Sequence, residues 1–188
     1  PVMDQQHEEA VVLYQDGGRL VLYSEPRLYR LDTEGRTSDL ANSKSLCVWQ
    51  DKVLLFEPQG MRLCRVGQEL VPLRQWRGNF LKSPRRIGGY ESRSAVYHEG
   101  QRYFWMDLEK QEELPLPVKS PPYTYQQSGE SFYVIFANDG SFTIRQIQDG
   151  RERETTWAPG FQPAGIRVSP FGLLAFRRQE VRVYPFGK

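Results

Sequence analysis

Residues 11–41 read VVLYQDGGRLVLYSEPRLYRLDTEGRTSDLA, and this stretch decides the fold. VVLY, ending at Tyr14, is a short apolar run. Asp16-Gly17-Gly18 follows, and its glycines accept the left-handed backbone that a tight hairpin needs. RLVLYS (19–24) is a second run, closed by Glu25-Pro26. RLYRLD (27–32) is a third, and Glu34-Gly35 turns the chain into RTSDLA (36–41). Short runs of β-formers divided by Gly, Pro and Asp predict an antiparallel meander of four strands, A to D.

The same order recurs down the chain. The second unit is SLCVW (45–49), KVLLFE (52–57), MRLCRV (61–66) and QELVPL (68–73), turned at Gln50-Asp51 and Pro58-Gln59-Gly60. The third is RIGGY (86–90), SAVYH (94–98), RYFWMDL (102–108) and EELPL (112–116). The fourth is YTYQQ (123–127), SFYVIF (131–136), SFTIRQI (141–147) and ERETTW (152–157). The fifth is GIRV (165–168), GLLAF (172–176) and EVRVYPF (180–186), with no fourth strand. An aromatic marks strand B of each unit: Tyr23, Phe56, Tyr97, Phe136 and Phe176, at intervals of 33, 41, 39 and 40 residues by subtraction. Self-similarity at such a period marks a repeat architecture. The B strands are nearly continuous in apolar residues, which suits strands buried on both faces. No long segment keeps a helical apolar period, so almost no helix is expected.

In repeat length and strand order the chain resembles the β-propeller group over almost its whole length. The Gly-His and Trp-Asp dipeptides of WD40 blades are missing. Gly88-Gly89-Tyr90 is similar to the glycine pair of Kelch blades but occurs once, and Asn138-Asp139-Gly140-Ser141 is a turn rather than a sialidase-type Asp-box. The resemblance implies one all-β domain over 1–188, a five-bladed propeller of four-stranded antiparallel units about 38 residues long. The blades would span about 10–44, 45–79, 86–119, 121–160 and 161–188 plus 2–9. The segment Val2–Glu9 would supply the missing outer strand of the last blade and close a free edge. A β-sandwich and part of a larger propeller are the alternatives.

Composition bounds the function. The net charge is +2, so the whole chain is no polycation and its charge does not demand nucleic acid. The apolar runs fall far short of the roughly 20 residues of a membrane-spanning helix. The N-terminus, PVMDQQHEEA, is acidic and polar, which is unlike a signal peptide. The start at Pro1 leaves a removed leader open. Cys47 and Cys64 fall on the first and third strands of one sheet, roughly 9–10 Å apart by strand spacing. That exceeds the reach of a disulfide, so both are read as thiols packed as small hydrophobes, favouring a reducing, cytoplasmic setting.

The chain offers little for catalysis. His7 and His98 lie at no metal-ligand spacing, the cysteines form no CxxC pair, and no cofactor is implied. No GxSxG elbow is present. Asp16, Asp51, Asp139 and Asp149 sit in turns, where Asp bonds to the backbone. Asp32 and Asp107 end C strands, and Glu109, Glu112 and Glu113 read as a solvated edge. A glycoside hydrolase-like enzyme, which would need two facing carboxylates, is the more distant alternative.

The exception among short loops is RQWRGNFLKSPRRIGGYESR (74–93). It sets six cations against Glu91 alone and interleaves Trp76, Phe80 and Tyr90. Trp, Tyr and Arg are the usual anchors of protein interfaces. This assigns a protein partner, or a subunit of a complex, to Arg74, Trp76, Arg77, Lys82, Arg85, Arg86 and Arg93. The same mixture can hold phosphates and stack bases, a reading that the low net charge disfavours. The plain structural reading is a connecting loop whose Trp76 and Phe80 pack between blades. Gly88-Gly89 precedes a strand rather than a helix, so it is no phosphate cradle. A lectin-like propeller, with the five repeated aromatics stacked on carbohydrate, is the alternative function. Arg177-Arg178 with Arg182 forms a second basic cluster, and Pro115–Pro122 a stiff connector.

Overall fold

Asp16 pairs with Arg19 across Gly17 and Gly18, both at positive φ, and this two-residue hairpin sets the pattern for the chain. The computed structural model describes residues 10–83, 90–116 and 121–187, and among them every regular element is a β-strand. The first sheet is β1 (Val11–Asp16), β2 (Arg19–Ser24), β3 (Arg27–Leu31) and β4 (Thr37–Asn42). The second is β5 (Ser45–Trp49), β6 (Lys52–Glu57), β7 (Gly60–Val66) and β8 (Leu70–Arg77). The third is β9 (Phe80–Lys82), β10 (Ser94–Glu99), β11 (Arg102–Asp107) and β12 (Glu112–Leu116). The fourth is β13 (Thr124–Ser128), β14 (Ser131–Ala137), β15 (Phe142–Gln148) and β16 (Arg151–Trp157). The fifth is β17 (Gly165–Ser169), β18 (Gly172–Arg177) and β19 (Glu180–Pro185).

Each sheet is hydrogen-bonded in chain order, four strands in four of them and three in the last. Five separate meanders of this kind are propeller blades; a sandwich would show two sheets. The three-stranded fifth blade agrees with the sequence reading. Its expected fourth strand, Val2–Glu9, lies outside the described residues.

One strand needs correcting. The sequence reading placed strand A of the third blade at RIGGY, 86–90. The edge position in that sheet belongs to β9, Phe80–Lys82. Residues 86–89 lie outside the described residues. Tyr90 and its neighbours serve the second blade instead: Tyr90 accepts a hydrogen bond from Val48 N at 2.8 Å, and Ser92 N donates to Val48 O at 2.8 Å. Three residues are enough for β9 because its leading Phe80 is buried.

By internal packing the chain divides into two compact units, the first holding the first two sheets and β9, the second holding β10–β19. In the first, Val21, Tyr23 and Leu28 pack with Leu46, Val53, Leu55, Cys64 and Val66. Tyr90 meets Tyr23 edge-on at 5.2 Å, and the Tyr23 hydroxyl donates to Ser43 O at 2.9 Å. Each such aliphatic side chain contributes about 1.5–3 kcal/mol by leaving water. In the second unit, Val96, Trp105 and Leu116 pack with Phe132, Val134 and Ile147. The opposite face of the fourth blade, Tyr133, Ile135 and Ile144, packs on Leu173, Ile166, Val168 and Tyr184 of the fifth. Cys47 and Cys64 lie on strands separated by β6; both are buried and no disulfide joins them.

Candidate partner-binding surface

The basic-aromatic stretch begins on a strand, not in a loop. β8 runs to Arg77 as the outer strand of the second sheet, so alternation decides where its side chains point. A bulge at Leu63/Cys64 skips Leu73 and sets the register beyond it. Arg74 then lies opposite Leu63 and Trp76 opposite Met61, on one face. Gln75 opposite Arg62, and Arg77 opposite Gly60, take the other face.

On the first face the Arg74 guanidinium lies over the Trp76 ring, 4.6 Å from its centroid. Arg74 is exposed and Trp76 half-buried, so the pair is a flat, partly wet platform with a cation on top. Val71, on the same strand, adds an exposed apolar side chain. On the second face Arg77 lines a cleft of about 610 Å³ with Asn42, Glu57, Gln59 and Gln75. Arg62 and Glu57 are ion-paired at 2.7 Å on this side, both largely shielded from solvent.

Two other expected contact residues, Lys82 and Arg93, are engaged in the fold. Lys82 is half-buried on β9; its Nζ donates to Leu46 O at 3.0 Å and lies 5.9 Å from the Tyr90 ring centroid. Arg93 is only 8% exposed, with Nε 3.0 Å from Glu109 Oε2. Arg85 and Arg86 lie outside the described residues. The structure therefore brings Arg74 and Trp76 together, puts Arg77 on the opposite face, and gives Lys82 and Arg93 internal partners. Strand alternation across Arg74–Arg77 was the sequence signal for this division. Nothing in the sequence pointed to Glu57, Gln59 or Asn42 beside Arg77.

The remaining polar groups hold local structure. Asp32 accepts backbone hydrogen bonds from Arg36 and Glu34, both at 2.9 Å; chiefly the Arg36 bond holds its carboxyl below the usual range. Asp51 pairs with Lys52 and Arg65, and Glu113 accepts from the Tyr97 hydroxyl. The His98 ring nitrogen Nδ1 is 2.9 Å from Gly100 O, in its own turn. Among the described residues no group of three or more His, Cys, Asp or Glu is placed to hold a metal ion. Tyr23, Phe56, Tyr97 and Phe136 are buried, so a sugar cannot stack on them; Phe176 is half-buried.

The blades define the class of protein: an all-β propeller. Two solved structures of Hsv2 share this fold. Hsv2 of Kluyveromyces lactis matches with a TM-score of 0.56 and 12% identity, over 95% of this chain and 62% of that one. A second Hsv2 structure, with complete loop 6CD, gives 0.55 at the same identity and coverage. The WD40 domain of SCAP from fission yeast gives 0.48 at 10% identity, over 94% of this chain and 53% of that one. This chain thus spans about three fifths of the length of the Hsv2 structures. No family model and no curated protein sequence matches the chain.

Proposed function

We propose that this propeller is a non-enzymatic interaction module that docks a protein partner on the outer surface of its second blade. The observation behind this reading is the Arg74–Trp76 pair, a guanidinium stacked on an indole at the blade edge, with Val71 exposed beside it. Stacked Arg and Trp bind well because the ring fixes the guanidinium before the partner arrives, so little side-chain entropy is lost. The positive head selects a carboxylate, and the ring face supplies apolar area. Arg77, on the opposite face, is outside this contact.

The test is capture from lysate with the chain as bait, wild type against Arg74→Glu, Trp76→Ala and Arg77→Glu. Arg74→Glu and Trp76→Ala should each weaken the stoichiometric partner by about 2 kcal/mol, the scale of an interface hot spot, while Arg77→Glu retains it. Equal capture by all four proteins would remove the reading.

A further inference from the structure

Arg77 differs from other arginines of its unit in that nothing answers its charge. Arg27, Arg36 and Arg65 pair with Asp39, Asp32 and Asp51. Arg77 has no ion pair among the described residues. It lines the cleft of about 610 Å³, whose walls all belong to the first compact unit. Asn42 ends β4 of the first sheet, Glu57, Pro58 and Gln59 lie at the β6–β7 hairpin, and Gln75 and Arg77 project from one face of β8. A cleft of this volume takes a small molecule.

The polar groups of this cleft are not used up by the fold. The side chains of Asn42, Gln59 and Gln75 make no hydrogen bond with any described residue. Glu57 accepts from Arg62 through Oε1 at 2.7 Å, and its Oε2 has no partner among the described residues. Arg62 lies opposite Gln75, and its Nε is buried without a hydrogen-bond partner among them. A buried guanidinium N–H left unpaired is costly, so this corner of the second blade is not arranged for folding alone.

We propose that this cleft binds a sugar acid, a small molecule carrying one carboxylate and several hydroxyls. Arg62 and Glu57 cancel each other, so Arg77 leaves the cleft one positive charge, which matches one carboxylate. The carboxamides of Asn42, Gln59 and Gln75 both donate and accept, as hydroxyls do, and Glu57 Oε2 accepts a further hydroxyl proton. Phosphate fits worse, because it chiefly accepts and its second charge would meet Glu57. A peptide C-terminus shares the carboxylate, but among the lining residues only Pro58 offers its side chains an apolar surface. The cleft is independent of Arg74 and Trp76, which lie on the other face of β8.

The test is an NMR titration of the full chain with glucuronate and galacturonate, and in parallel with glucose, acetate, inorganic phosphate and tri-alanine. At least one uronate should bind saturably and shift the side-chain amide signals of Gln59 and Gln75. Glucose, which lacks the carboxylate, and acetate, which lacks the hydroxyls, should each bind about tenfold more weakly or worse. Arg77→Ala, melting as wild type, should weaken the uronate about tenfold, and Gln59→Ala about threefold. Arg178→Ala, which removes an exposed cation elsewhere, should leave it unchanged. No saturable binding of either uronate would overturn the proposal. So would glucose, acetate, phosphate or tri-alanine binding as tightly, or an Arg77→Ala protein binding as wild type. Uronate binding is measured without any protein partner, so this site and the docking surface stand or fall separately.

Discussion

Cys64 has none of its surface exposed, and burial pushes its thiol up from 9.0 to about 11; Arg62 lowers it and Glu57 raises it by smaller amounts. The sign of the consequence is fixed. Between pH 9 and about 11 the native state keeps a proton that the unfolded chain has lost, so stability falls as pH rises through that window. The full loss is about 3 kcal/mol at one pKa unit per 1.4 kcal/mol. Tyr23, raised chiefly by burial, acts in the same direction above pH 10. Urea midpoints measured from pH 8 to 11 should therefore drop, and Cys64→Ala should flatten the part below pH 10. A wild-type slope unchanged in Cys64→Ala would show that the thiol ionises alike in both states. The burial of Cys64 was readable from its place in an apolar strand. The burial of Arg93 was not, because a cation in a basic run looks solvated until its partner, Glu109, is known.

At the scale of elements, hairpins carried the sequence reading. The B and C strands came within a residue or two of their observed bounds, since two-residue turns and apolar alternation mark both ends. β9 was missed because three residues give no periodicity, while RIGGY had the glycines and tyrosine of a strand boundary. The marker aromatics were nearly, not wholly, in register: Ile135, not Phe136, holds the place of Tyr23, Phe56 and Phe176, and Phe136 turns to the other face of its blade. β7 and β8 depend on a close approach at Gly60. A Cβ there would meet Trp76 O at 2.0 Å, a backbone atom that cannot swing aside. Gly60→Ala should thus force the two strands apart and cost about 1–3 kcal/mol, as overpacking does. Because the displaced residue is Trp76, partner capture should weaken as well. Thermal melts with parallel capture would check both, and an unchanged melt would show that the strands can part without cost.

Across the whole molecule the same register position performs different tasks, and this is where sequence reading reached its limit. Val181 and Ile144 look alike in sequence: each is a β-branched residue on a C strand opposite the fifth residue of strand B. Only the coordinates show that one is covered and the other is not, because coverage depends on the neighbouring sheet rather than on the strand itself. The energetic contrast follows. Truncating Ile144 leaves a cavity between the fourth and fifth blades, beside Ile135 and Leu173, and Ile144→Ala should cost about 2–5 kcal/mol. Truncating Val181 removes a side chain already more than half in water, and Val181→Ala should stay within about 0.5 kcal/mol. Denaturant unfolding of the isolated chain measures both. A cost for Val181→Ala comparable to that for Ile144→Ala would mean that Val181 is packed against other residues in solution.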